Sequence, residues 1–255
     1  MNFQNKTEFL NSLVKKEDEV KKALTKLYQG VRATNKFLGL ENSPELQDTY
    51  YKLRIEEVGE LFTAIENEDK VEFLDAVVDG LVVVGYEFSL KSEPCPENSF
   101  EFLGMQISTN IDRLKYDYEE KDEDASTLGW LEEVFNQLDI NHMKAVNEVL
   151  ESNWSKFPTK SELKETNKEY WDEWESDISS SNVIGFQIEE IEQQGRYIDV
   201  YHEVRYDESV GEDRIIFWAK GEKQKDDSIK EFKAPKYVKP TATFKEPDFA
   251  SCWLN

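Results

Sequence analysis

The chain has 255 residues, with 54 Asp or Glu against 31 Lys or Arg, for a net charge of −23. Such a field repels phosphate backbones and excludes nonspecific binding to nucleic acid, while leaving room for a phosphate-bearing ligand screened by metal ions. With 15 Phe, 11 Tyr and 6 Trp the chain has material for a core, and with two cysteines and two histidines it has too few for a disulfide scaffold, a cysteine-based zinc site or a His-rich metal centre.

The polar start, Met1–Lys6, is not a secretory signal, and the apolar run Leu81–Val84 is far short of a membrane span. A cytoplasmic protein without a membrane partner is expected. Residues 7–38 predict a helix, because Phe9, Leu10, Leu13, Val20, Leu24, Leu27 and Val31 recur at helical spacing. Gly39, Asn42, Ser43 and Pro44 break that pattern, and Ser43 with Pro44 supplies an N-cap and first position for a second helix over 44–66. Asn67-Glu68-Asp69 is a polar turn, and a third helix follows over 70–90. Pro94 and Pro96 punctuate the chain. Apolar spacing then predicts helices over 99–121 and 127–153, and a short polar helix over 161–175.

After Asp177 the Ser179-Ser180-Ser181-Asn182 stretch reads as a linker. Strand-like runs follow at 183–190, 197–206 and 214–220, with Gly195 and Gly211 near the turns. Residues 233–255, punctuated by Pro235, Pro240 and Pro247, are expected to be extended. The expected architecture is mainly α: a helical body over 1–177, then over 178–255 a small β appendage and a tail packed on the body.

The informative region is 54–88. On a helix, residues three or four apart share a face, so Glu56 and Glu57 align with Glu60, and Asp75 aligns with both Glu72 and Asp79. Helices joined by a short turn pack antiparallel, so these acidic faces oppose each other. Like charges ~4 Å apart repel by about 1 kcal/mol even in water, and more when partly buried. A folded cluster therefore needs protons or cations, and oxygen-only donors suit Mg²⁺ or Mn²⁺. Acidic pairs at helical spacing also arise by chance in a chain with 54 acids, usually as a solvated face. The setting weighs against that: the acids lie among Ile55, Val58, Leu61, Phe62, Phe73, Leu74, Val77 and Val78, and Asp79 shares a stripe with Val83.

Glu-Glu-x-x-Glu at 56–60, then Glu-x-x-Asp at 72–75 and Asp79, resembles the all-α nucleoside triphosphate pyrophosphohydrolases, the MazG-like proteins with their phosphoribosyl-ATP pyrophosphohydrolase-like branch. Downstream, Ser152-Asn153-Trp154-Ser155-Lys156 is similar to a Ser-Asn-x-Ser-Lys segment of bacterial and phage members. Lys239-Pro240 and Pro247-Asp248 are similar to their C-terminal pattern. The match is good over about 45–90, local at 145–160 and weak at 195–250. In the second motif, the family often has an acid three residues before the Asp that opens the apolar run, where this chain has Ala76. Either Glu72/Asp75 or Asp75/Asp79 therefore forms the second pair.

The resemblance implies an antiparallel helical bundle and Mg²⁺-dependent cleavage of a nucleotide, a (deoxy)nucleoside triphosphate or a relative, to the monophosphate and pyrophosphate. It implies Glu57, Glu60, Glu72, Asp75 and Asp79 as metal ligands and Glu56 and Glu57 as catalytic carboxylates, Glu56 either binding metal or orienting the attacking water. Asn153, Lys156 and Arg54 are the implied substrate contacts. The bland readings are surface charges for Lys156, Lys52 and Arg54, and ordinary core or core-edge roles for Trp154, His142 and His202. A homodimer is expected, with the apolar helix at 81–88 in its core; the alternative is that helices 99–121 and 127–153 complete the bundle within one chain. The competing function is a non-catalytic acidic protein on the same scaffold, a mimic of nucleic acid or a nucleotide sensor, motivated by the net charge of −23.

Overall fold

The computed structural model describes residues 3–90, 107–120, 126–166, 182–224 and 226–254. The protein is mainly helical, with eight α-helices among the described residues and a small antiparallel sheet toward the C-terminus. The helices are α1 (Phe3–Leu38), α2 (Pro44–Glu66), α3 (Lys70–Leu90), α4 (Ile107–Glu120), α5 (Ser126–Gln137), α6 (His142–Ser155), α7 (Lys160–Thr166) and α8 (Asn182–Gln193). The strands are β1 (Tyr197–Ile198), β2 (Tyr201–Asp207), β3 (Glu212–Lys223) and β4 (Ile229–Tyr237). The chain forms two units, Met1–Leu150 with Asp248–Asn255, and Glu151–Pro247. The division expected at 177/178 lies outside the described residues, as do 99–106, 121 and 167–175 of the expected helices.

In the first unit α2 and α3 form a helical hairpin. Ser43, in extended backbone, accepts a hydrogen bond from Leu46 N at 3.2 Å, and Pro44 opens the helix as its sequence implies. Asp69 caps α3 by accepting from Val71 N at 3.0 Å and Glu72 N at 3.2 Å, so the polar turn doubles as a start signal. Along α3 every residue from Ala76 to Glu87 except Asp79 is buried. α1 contributes Val20, Leu24, Leu27 and Val31 to the same core, α4 Leu114, and α5 Leu131, Val134 and Phe135.

The helix expected over 127–153 is two helices. Asn141 starts the second by accepting from Lys144 N at 3.0 Å, while Asn141 N donates to Cys252 O at 2.8 Å and Ile140 bridges Trp253. A partner remote in sequence, the 3₁₀ turn Phe249–Cys252 and its flank, thus opens the helix at 138–141. The tail is correspondingly not extended throughout: the end of β4 is, and this turn is not.

In the second unit β3 is the central strand, paired antiparallel with β1, β2 and β4. β1 and β2 meet β3 in one continuous register, Tyr197↔Glu222 and Tyr201↔Trp218. The expected strand 197–206 is interrupted because Asp199 has φ of 52° and Val200 N donates to Glu192 Oε1 at 3.0 Å instead of joining the ladder. Gly221 is required beside the β3–β4 irregularity, since a Cβ there would stand 2.8 Å from Lys230 O. The run 183–190, expected as a strand, lies inside α8. Its buried positions, Val183, Ile184, Gln187 and Ile191, follow the helical period. Ile184 and Ile191 pack with Leu163 of α7 and with Ile215, Phe217 and Ala219 of β3.

Candidate metal and substrate site

The hairpin places the expected acids along one length of α2 and α3. Glu57, Asp75 and Asp79 are half-buried; Glu56, Glu60 and Glu72 are exposed. The two helices approach closely at Gly80, where a Cβ would sit 3.8 Å from Glu57 Cβ and 3.0 Å from Leu131 of α5. This glycine costs helix propensity, about 1 kcal/mol relative to Ala, and lets the α3 backbone approach Glu57.

Burial first, and then the fields of Asp79, Glu60, Glu56 and Asp75, push the Glu57 carboxyl up to about 9. Glu60 is raised in the same direction by partial burial and by Glu56, Asp79 and Glu72. The four neighbours acting on Glu57 are all acids. Through these couplings the six carboxylates expected from the sequence belong to one cluster. Near neutral pH, Glu57 holds a proton unless a cation takes its place.

The donor set is all carboxylate oxygen, which suits Mg²⁺, and the raised Glu57 is the signature of a site short of positive charge. Among the described residues, no three Asp, Glu, His or Cys side chains are arranged to hold an ion together. The donor type thus suits a divalent ion, and the arrangement of the side chains does not hold one.

Of the expected substrate contacts, Lys156 Nζ donates to Asn153 Oδ1 at 2.6 Å, and Asn153 is buried. Both belong to the second unit, whereas the acids belong to the first. Arg54 is buried in the first unit, opposite Glu87 of α3 at 3.8 Å. The surface reading of Arg54 is thereby overturned, while Lys52 is an exposed lysine paired with Asp48 at 2.6 Å. The remaining residues weighed from sequence serve the fold. His142 Nε2 lies 2.8 Å from Phe135 O, and the Trp154 ring has the Arg214 guanidinium 4.9 Å from its centroid. Cys252 is a buried free thiol, pushed up to about 11 by burial.

Two further acids of the first unit, the buried Glu87 and the half-buried Glu132, went unnoticed in the sequence. Glu87 interrupts the apolar stripe of α3, and its isolation in that stripe was a readable signal. Glu132 of α5 accepts from Tyr28 Oη at 2.7 Å, and burial pushes its carboxyl up to about 7; nothing in its local spacing marks it. No helix among the described residues is long and apolar enough to cross a membrane. No family model matches the chain, and no curated protein or solved structure proves similar to it.

Proposed function

We propose that the chain is a Mg²⁺-dependent nucleotide pyrophosphohydrolase of the all-α bundle type, converting a nucleoside triphosphate or related nucleotide to the monophosphate and pyrophosphate. One observation carries the reading: two helices of one hairpin carry six acids whose fields overlap, and the half-buried Glu57 is pushed up to about 9 by burial and by Asp79, Glu60, Glu56 and Asp75. A fold retains such repulsion where a ligand relieves it, and a divalent ion with a polyphosphate does so. When bound, Mg²⁺ would neutralise phosphate oxygens and make a nearby water more acidic. Glu57, Glu60, Asp75 and Asp79 would hold it, with Glu72 beside them.

The chain's own contribution is positional. Glu56, exposed one residue before Glu57, would take a proton from an attacking water in this reading. Phosphoryl chemistry of this kind depends on positioning and charge stabilisation more than on a covalent nucleophile. The test is pyrophosphate release from a panel of nucleoside triphosphates with Mg²⁺ or Mn²⁺. Metal-dependent release is expected; release of inorganic monophosphate alone, or no turnover, defeats the reading.

The acidic-binding alternative draws support from the exposure of Glu56, Glu60 and Glu72 and from the net charge of −23. It requires salt-sensitive binding to a basic protein that is indifferent to divalent ions and unaffected by Glu57→Gln.

A further inference from the structure

We draw no further inference here: the strongest candidate, the C-terminal strap Phe249–Cys252 with its flank, clasped on the corner between α5 and α6, carries nothing because its backbone pairing and apolar contacts belong to the core of the first unit already described and nothing in the structure points to its release.

Discussion

The two units handle buried charge in opposite ways. In the second, Arg214 Nε donates to Asp207 Oδ2 at 2.7 Å, Nη1 donates to Phe157 O at 2.7 Å, and the guanidinium faces the Trp154 ring. Burial alone would raise the Asp207 carboxyl, but hydrogen bonds from Ser209 and Arg214 hold it below its ordinary value. In the first unit, Glu57 is half-buried among acids and pushed up to about 9. The first arrangement is complete as it stands and holds 157–162 against β2 and β3. The second is complete only with protons or cations added, and that is where function is to be sought.

This contrast gives four measurements. The largest effect belongs to the closed pair: Arg214→Met should lower unfolding free energy by about 3–5 kcal/mol, since it strands a buried Asp207. Chemical denaturation reads it, and a loss within experimental scatter of zero would mean that the pair is ornamental. Next, Glu57→Gln should reduce pyrophosphate release by about 100-fold or more while leaving the helical circular dichroism unchanged and the melting temperature equal or higher, because a permanently neutral amide needs no proton taken up on folding.

Third, Mg²⁺ should stabilise the chain by about 2.7 kcal/mol at a hundredfold excess over its Kd, and its uptake near pH 7 should release protons, because Glu57 must give one up. Titration calorimetry in buffers of different ionisation heat measures that release; none in the wild type would place the ion elsewhere. The smallest effect concerns Glu132. Its folded carboxyl titrates at about 7 against an ordinary 4.5, mainly through burial, so the folded state keeps a proton the unfolded chain has lost. That contribution is whole below pH 4.5 and falls as pH rises through 7. Stability measured across this window should decline with pH, and Glu132→Gln should flatten the decline.

Much of the first unit was readable along the chain. α2 and α3 begin and end where Ser43-Pro44, Asn67–Asp69 and the apolar period place them. The spacing of Glu56, Glu57 and Glu60, and of Glu72, Asp75 and Asp79, sets which acids share a face, because one helical turn is a local property. The cluster was therefore foreseeable, whereas the degree of its burial was not. Glu57 is half-buried and Glu60 exposed through their placement against α3 and α5.

Other features depend on residues far apart in the chain. The break at 138–141 follows from pairing with 252–254, and the burial of Arg54 from the position of Glu87 on the facing helix. The run 183–190 was ambiguous because a short apolar stretch satisfies either period until a sheet lies beneath it. Periodicity and capping act over a few residues and are written in their order; burial, and with it the charge state of an acid, depends on which distant surface arrives to exclude water.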